Sequence, residues 1–383
     1  MFKRIFLFAT MLFCVATTSA QTGFSGGAAP QNDSLSGVQW GAGLPRFAYA
    51  FGSKDFEQLN GGRSRQVGSY NFPISKNMAG VLMELDPGAL RELHWHAEAA
   101  EWAYVISGQT RITLTGPGGQ TEVADVNAGE IWYFPKGWGH SIQNIGHETT
   151  KFVLVLNNGE FTEQSTFNLS DWISHTPMNV LTEGLGIPLS IAKQLPNSVR
   201  YMLPGSTSSI GTLKKPIKNP NQLPHAFTLL SRKPVFTDSN GTLKLVTAKE
   251  FPASFNMSAA IIHLEPGAMR GLHWHPNADE WQMVLNGQME LTVFPSGGKG
   301  AVEALNQGDV GYVPKGYGHA LKNLSSDKPL DVLVVFNSGE YQSIDLNKWL
   351  TTTPAEVIKV NLQISEEQLR QFPRDTSLFE GQR

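Results

Sequence analysis

Hydrophobic positions in this chain either alternate with polar ones or form short apolar runs, as is typical of β-strands. Residues 111–115 (RITLT) alternate, and the glycine-rich segment 116–119 that follows predicts a turn. Apolar runs at 81–85, 102–106 and 151–156 have the length and composition of buried strands. The pattern therefore predicts an all-β chain.

Helical spacing occurs in two places, each after one set of predicted strands. Residues 179–195 form the first and end at Pro196, and residues 354–372 form the second. Between the two sets, residues 203–223 are rich in Pro, Gly, Ser and Lys, a composition typical of a linker. With 383 residues, the chain has the length of two domains of ordinary size, each with its own core.

The predicted organisation has five segments along the chain. They are a signal peptide at 1–20, an N-terminal arm at 21–60, a first β domain at 61–200, a linker at 201–225, and a second β domain with a helical C-terminal tail at 226–383.

The two β domains repeat one pattern at a fixed offset along the chain. The run GEIWYFPKGWGH at 129–140 becomes GDVGYVPKGYGH at 308–319. Six of the ten histidines fall at positions related by this same offset, which indicates that a whole domain has been duplicated.

A cluster of potential metal ligands recurs in each repeat. His94 and His96 are two apart on a predicted strand, so both point to the same face. Glu101 follows a short turn, and we expect the hairpin partner of that strand to bring it back, whereas His140 must come from a distant strand. Three imidazoles and one carboxylate form a first-row transition-metal site with open positions for substrate. The second repeat has the equivalent set His273, His275, Glu280 and His319.

The N-terminus has the order of features found in secretory signal peptides. Lys3 and Arg4 precede an apolar run at 5–15, and Thr18 to Ala20 form a small-residue cleavage site. The run is too short to span a bilayer. We therefore expect cleavage near Ala20 and a secreted or periplasmic protein.

Cleavage changes the composition of the chain in two ways. It removes the only cysteine, Cys14, so the mature chain forms no disulfide. It also removes two of the 30 cations and none of the 33 anions, which gives 28 − 33 = −5. A mildly acidic chain is not suited to binding nucleic acid or an anionic membrane.

Two further motifs identify a resemblance. The pattern Gly-x5-His-x-His-x4-Glu-x6-Gly spans 88–108, and Gly-x5-Pro-x-Gly-x2-His-x3-Asn spans 129–144; both recur at 267–287 and 308–323. These are the two cupin motifs, and nearly the whole mature chain resembles the secreted bicupin oxalate decarboxylases. The resemblance implies two tandem jelly-roll β-barrels with short helices after each barrel, Mn²⁺ in each, and a hexamer built from two trimers. It also implies conversion of oxalate to formate and carbon dioxide, with dioxygen required as a co-catalyst and not consumed.

An arginine precedes the first histidine of each cluster by three residues. On a straight strand Arg91 would face away from His94, and Arg270 from His273, so we expect a turn to bring each arginine toward the pocket. A guanidinium there would bind a carboxylate and stabilise developing negative charge.

The resemblance also implies a general acid on a short lid after the first barrel. The family's lid reads Ser-Glu-Asn-Ser, and the matching residues 162–165 here are TEQS, with Glu163 as the acid. Glu92, beside Arg91, is a candidate for orienting that arginine.

The second domain departs from the family at several positions. Residues 337–341 (NSGEY) contain no equivalent of the lid glutamate, although Tyr341 is kept as an auxiliary residue together with Arg270. Val334 replaces a glutamate of the family, and Gly271 stands where the first domain has Glu92. We therefore expect the second site to bind metal with little turnover of its own.

Three other functions are compatible with the scaffold. An oxalate oxidase would form hydrogen peroxide and two molecules of carbon dioxide, but its lid would lack the glutamate acid. Another cupin enzyme, such as a dioxygenase or isomerase, would need a different pocket. A non-enzymatic storage bicupin would not need all eight metal ligands, and all eight are present here.

Overall fold

The computed structural model describes residues 39–41, 43–373 and 377–381. The predicted signal peptide and the first part of the arm lie outside the described residues. The strands up to the second domain are β1 (Gln39–Trp40), β2 (Ala48–Tyr49), β3 (Glu57–Leu59), β4 (Gly62–Val67), β5 (Ala79–Leu85), β6 (Leu90–Trp95), β7 (Glu101–Ser107), β8 (Gln109–Thr115), β9 (Thr121–Asn127), β10 (Ile131–Phe134), β11 (Gly139–Asn144), β12 (Thr150–Leu156), β13 (Phe167–Asn168), β14 (Met202–Leu203), β15 (Ile217–Lys218) and β16 (Ala226–Phe227).

The second domain repeats this plan. Its strands are β17 (Phe236–Asp238), β18 (Gly241–Val246), β19 (Ser258–Leu264), β20 (Met269–Trp274), β21 (Glu280–Asn286), β22 (Gln288–Phe294), β23 (Lys299–Asn306), β24 (Val310–Val313), β25 (Gly318–Asn323), β26 (Leu330–Phe336), β27 (Ile344–Asp345) and β28 (Phe379–Glu380). The helices are α1 (Leu169–Ser174), α2 (Met178–Leu185), α3 (Leu189–Ala192), α4 (Leu346–Thr352), α5 (Ala355–Leu362) and α6 (Glu366–Leu369).

Each barrel consists of two facing sheets. The first combines the order β16-β10-β7-β12-β5-β4-β3 with β13-β6-β11-β8-β9-β15, where β14 also pairs with β6. The second combines β17-β18-β19-β26-β21-β24-β2 with β1-β23-β22-β25-β20-β27, where β28 also pairs with β20. The predicted all-β, two-barrel architecture with short helices is confirmed.

The two hydrophobicity patterns correspond to two kinds of strand. In β8, Thr110, Ile112 and Leu114 are buried and alternate with more exposed residues, because only one face of the strand packs on the barrel core. In β12, Phe152 and Leu154 face the core of the first barrel. The other face of β12 also packs, since Val153 belongs to a separate cluster that contains residues of both barrels. A strand covered on both faces therefore appears as an apolar run.

The cluster between the barrels depends on close backbone approach at one glycine. A Cβ on Gly80 in β5 would lie 2.5 Å from the Trp281 ring of the second barrel. The same cluster buries Trp102 and Leu82 from the first barrel and Leu333 from the second. The barrels therefore share a continuous apolar interface.

Each barrel also receives a strand from outside its own domain. In the arm, β1 and β2 pair with β23 and β24 of the second barrel, whereas β16 pairs with β10 of the first. The backbone N–H of Tyr312 donates to the Phe47 carbonyl at 2.9 Å, and the N–H of Tyr133 donates to the His225 carbonyl at 2.9 Å. The arm strands β1 and β2 are thus part of the second barrel, whereas β3 pairs with β4 of the first.

The segment after the first barrel contains two short helices and two short strands. The helical spacing over 179–195 corresponds to α2 and α3, which are separate because Gly186 adopts a left-handed φ of 65° and Pro188 follows it. Within the predicted linker, β14 pairs with β6 and β15 pairs with β9, so both ends of the linker lie against the first barrel. No helix among the described residues is long and apolar enough to cross a membrane.

Candidate metal centres and active site

A β-bulge places the arginine and the first histidine on the same face of β6. His140 of β11 pairs with His94, and Ile142 pairs with Arg91, so two steps on β11 match three steps on β6. The extra residue reverses the alternation and turns the Arg91 side chain to the histidine face. The same irregularity lies between Arg270 and His273 in β20. The expected turn is therefore wrong, and a bulge performs its role.

The glutamate ligand comes from the sheet opposite the histidines. Glu101 begins β7, which pairs with β10 and β12, whereas β6 pairs with β11 in the facing sheet. The expected hairpin pairing is therefore wrong. The carboxylate instead reaches the histidines across the barrel interior.

The structure brings each predicted set of four ligands together. In each cluster the potential ligand atoms all lie within 4.8 Å of one another, and all residues are buried: His94, His96, Glu101 and His140 in the first barrel, and His273, His275, Glu280 and His319 in the second. Glu101 Oε2 lies 3.0 Å from His96 Nε2 and 3.5 Å from His140 Nε2. In the second barrel, Glu280 Oε2 lies 2.8 Å from His275 Nε2.

Backbone carbonyls set the tautomer of most of these histidines. The Nδ1–H groups of His94 and His140 donate to the carbonyls of Glu92 at 2.6 Å and Trp138 at 2.9 Å. Because a carbonyl can only accept, Nδ1 carries the proton and Nε2 presents a lone pair to the cluster. The second barrel uses the same arrangement, with ring nitrogens bonded to the carbonyls of Gly271, Gln342 and Tyr317.

The charge states of the buried groups also favour a cation. Burial, followed by the charge of Arg91 and the neighbouring imidazoles, lowers the pKa of His94 well below its ordinary value. Burial alone would raise the pKa of Glu101, but the adjoining imidazoles of His140 and His96 outweigh it and lower that pKa. Neutral imidazoles beside an ionised carboxylate are the forms that bind a metal.

The residues present fit a divalent transition metal. His140 Nε2 is buried and has no hydrogen-bond partner among the described residues, although it faces the other ligands. An orphaned acceptor of this kind is costly unless a cation satisfies it. Three imidazole nitrogens and one carboxylate oxygen suit manganese, iron or zinc.

The carboxylate ligands are held by different donors in the two barrels. Trp132 Nε1 donates to Glu101 Oε1 at 2.8 Å, and Gln282 Nε2 donates to Glu280 Oε1 at 2.6 Å. The second barrel has Gly311 in place of the tryptophan, and a Cβ there would lie 2.6 Å from the Gln282 side-chain oxygen. Each barrel therefore orients its carboxylate by its own means.

Arg91 is buried beside the first cluster and contacts Glu163, the predicted lid glutamate. Its Nη2 donates to Glu163 Oε2 at 3.1 Å, and its Nη1 donates to Asn168 Oδ1 at 2.7 Å and to the Tyr201 carbonyl at 3.0 Å. The Tyr201 ring lies 4.4 Å from the guanidinium carbon. Its Nε is buried and has no protein partner among the described residues. These contacts therefore hold the guanidinium in place, and its Nε–H is uncommitted.

Glu163 begins a 3₁₀ turn, Glu163–Ser165, that covers the first site. The residue is 4% exposed, so the carboxyl lies inside the barrel mouth and not in solvent. Thr166, just after the turn, places its hydroxyl 3.4 Å from His96 Nδ1. The predicted lid glutamate, arginine and ligand cluster are thus brought into one site.

Glu92 does not orient Arg91, although its place beside that residue in the sequence suggests that it would. Its carboxylate accepts hydrogen bonds from the Ser170 hydroxyl at 2.8 Å and the Ser170 backbone N–H at 3.1 Å. Glu92 therefore anchors the first turn of α1 and does not bond to Arg91.

The second site pairs its arginine with an aspartate. Arg270 Nη1 donates a hydrogen bond to Asp345, and its Nη2 donates to Ser343 Oγ at 3.0 Å. Tyr341 lies in this site, with its ring 5.4 Å from the His275 ring. Asp345 pairs with His273 in the position where Asn168 pairs with His94. Sequence reasoning did not identify Asn168 or Asp345, because the offset between them differs from the one that relates the metal ligands.

Comparisons with known proteins agree with this geometry. The cupin family model matches residues 50–190 and 227–370. The chain belongs to the cupin family. It is 40% identical to oxalate decarboxylase OxdC of Bacillus subtilis (strain 168) over 311 residues, which cover 80% of this chain and 79% of that protein. It is 30% identical over 339 residues to a probable oxalate decarboxylase of Arthroderma benhamiae, covering 87% of this chain and 82% of that protein.

Solved structures of oxalate decarboxylase from Bacillus subtilis have the same fold. One, from a study of its Mn(II) centres, superposes with a TM-score of 0.83 at 35% identity and covers 89% of this chain and 90% of that chain. A second, of the same enzyme at pH 4.6, also gives a TM-score of 0.83 at 35% identity. The resemblance to bicupin oxalate decarboxylases is therefore confirmed over both barrels.

Proposed function

We propose that this chain is an oxalate decarboxylase that works in its first barrel. The observation that carries the proposal is the buried contact of Arg91 with Glu163, 3.1 Å apart, beside a cluster of three histidines and Glu101. The identity to oxalate decarboxylases over most of both chains supports the same reaction.

The reaction takes one proton and releases carbon dioxide. Oxalate dianion plus a proton gives formate and carbon dioxide. The carbon that becomes formate must therefore be protonated. We propose Mn²⁺ as the metal, two per chain, with dioxygen as a co-catalyst that is not consumed. Held by His94, His96, Glu101 and His140, manganese would supply Lewis acidity and redox chemistry to the reaction.

The residues of this chain perform the remaining tasks. Arg91 is positioned to bind a substrate carboxylate, and Asn168 and the Tyr201 carbonyl fix its orientation. Glu163 as a carboxylic acid supplies the proton, and its turn excludes water from the barrel mouth.

The proposal is tested by measuring both products of oxalate turnover. We expect the manganese-loaded protein to form formate in large excess over hydrogen peroxide. Peroxide as the main product would instead identify an oxalate oxidase. The absence of turnover with both sites filled would favour a storage bicupin.

We also propose that the chain assembles as a hexamer of two trimers. Trp172 and Phe167 are 63% and 48% exposed and pack around Trp95, and Trp349 is 55% exposed beside Trp274. Exposed aromatic groups of this kind are typical of subunit contacts. Light scattering coupled to gel filtration should give six chains; a monomer would contradict the assembly.

Export from the cytoplasm is the remaining part of the proposal. The charged start, apolar run and small residues before Gln21 support it. N-terminal sequencing of functional protein should begin at Gln21, in the periplasm or the medium. Intact Met1 would refute export.

A further inference from the structure

Gln66 connects the wall of the first barrel to the lid turn. It lies in β4 opposite Val81, whose side chain belongs to the core of that barrel, so Gln66 faces the interior. Its Oε1 accepts the backbone N–H of Glu163 at 3.0 Å, and its Nε2 donates to Gln164 Oε1 at 3.2 Å. One side chain thus makes two bonds to consecutive residues of the lid.

The hydrogen bond from the Glu163 N–H to Gln66 is made at the start of the turn, where the backbone N–H groups need acceptors. The first N–H groups of any helical turn lack acceptors within the turn. Thr162, which precedes the turn, is extended and makes no side-chain cap. Gln66 therefore provides an acceptor from a separate strand, 97 residues away in sequence. This fixes the backbone of the residue whose carboxyl meets Arg91.

The second barrel provides an internal comparison. Leu245 of β18 pairs with Ala260 as Gln66 pairs with Val81, and the offset between the two pairs is the one that relates the metal ligands. Leu245 is apolar and packs against the core of the second barrel. The second barrel also has no lid glutamate. The glutamine and the lid acid thus occur in the same barrel, and both are absent from the other.

We propose that Gln66 is a positioning residue that holds the lid turn closed, with the Glu163 carboxyl against Arg91. The proposal rests on the proposed decarboxylase function and names a residue through which Glu163 is placed. When the lid is open, the proton donor is displaced and water and dioxygen enter. Oxalate is then oxidised by dioxygen: oxalate dianion, dioxygen and two protons give two carbon dioxide and one hydrogen peroxide.

The test replaces Gln66 by the residue of the other barrel. We expect Gln66→Leu to lower kcat for formate by about 2- to 10-fold, the range for losing the one neutral hydrogen bond that fixes the Glu163 backbone. The share of peroxide among the products should rise, with metal content unchanged. Gln66→Glu, which keeps an acceptor for the Glu163 N–H, should retain more formate production than Gln66→Leu. Leu245→Gln, the matched control, should change neither product.

A second measurement does not depend on turnover. Hydrogen exchange at residues 162–166 should be faster in Gln66→Leu than in the unaltered protein, and close to normal in Gln66→Glu. Should Gln66→Leu fail to fold, Gln66→Met, which has a similar length and no amide, takes its place. Unchanged product ratio and unchanged exchange in a folded variant would overturn the proposal. If the unaltered protein forms no formate, the proposed function fails, and the exchange measurement still decides whether Gln66 holds the lid.

Discussion

Arg91 and Glu163 form a buried contact at the mouth of the first barrel, with Nη2 and Oε2 3.1 Å apart and side chains only 1% and 6% exposed. The two residues are 72 apart in sequence and come from β6 and from the lid turn. In the proposed reaction, the guanidinium would bind a carboxylate of the substrate and the carboxyl would donate the proton. In the second barrel, the carboxylate partner of Arg270 is Asp345 of β27 and not a lid glutamate.

Replacing the lid acid should suppress formate selectively. Glu163→Gln keeps an acceptor for Arg91 but has no acidic proton, so the rate of formate production should fall by about 100- to 10,000-fold. Metal content should stay the same, and peroxide should form a larger share of the products. Glu340→Ala, at an exposed position of the second domain, is the control and should have little effect. Near-normal formate in Glu163→Gln with loss in Glu340→Ala would mean that the second barrel performs the chemistry.

Replacing Arg91 by lysine tests the planar guanidinium. Its two Nη atoms bond to Glu163, Asn168 and the Tyr201 carbonyl, and a single ammonium does not reproduce that geometry. We expect kcat/KM for oxalate to fall by about 100-fold or more. Arg270→Lys should have a smaller effect. Equal losses in the two variants would show that both barrels turn over.

Metal content tests the two clusters directly. Protein produced in manganese-rich medium should contain about two divalent ions per chain, since both sets of ligands are complete and buried. His94→Ala should reduce the content to about one ion, and His94→Ala combined with His273→Ala should nearly abolish it. Elemental analysis that finds less than one ion per chain in unaltered protein contradicts the assignment.

Asp345 should limit anion binding at the second site. Its carboxylate neutralises Arg270, whereas the equivalent Asn168 is neutral and adds no negative charge beside Arg91. In a His94→Ala background, Asp345→Asn should therefore increase the affinity of the second site for oxalate, measured by titration calorimetry. Formate production should stay low because that barrel has no lid acid. Unchanged oxalate affinity would mean that Asp345 does not control the site.

Local patterns predicted the strands and the metal ligands. A strand covered on one face has alternating apolar residues, as in β8, and a strand covered on both faces has an apolar run, as in β12. The sequence of each strand therefore indicates how many of its faces are buried. The ligands His94 and His96 share a face because the period of a strand is two. Repetition of the same motifs in the second half of the chain made the second cluster equally visible.

Only the tertiary structure decided how distant segments meet. The bulge in β6 turns the Arg91 side chain to the opposite face of the strand. The bulge is defined by the pairing of β6 with β11, and no local sequence pattern predicted it. Glu101 reaches the histidines from the facing sheet, and the arm at Phe47 pairs with the second barrel. Gln66 meets Glu163 across 97 residues. The sequence by itself determined the ligand types and their strands, because these depend on local periodicity. The pairing of strands, the packing of one sheet against the other and the contacts of the lid depend on long-range packing. The residues that meet in this way are far apart in sequence, and no local pattern identifies them as partners.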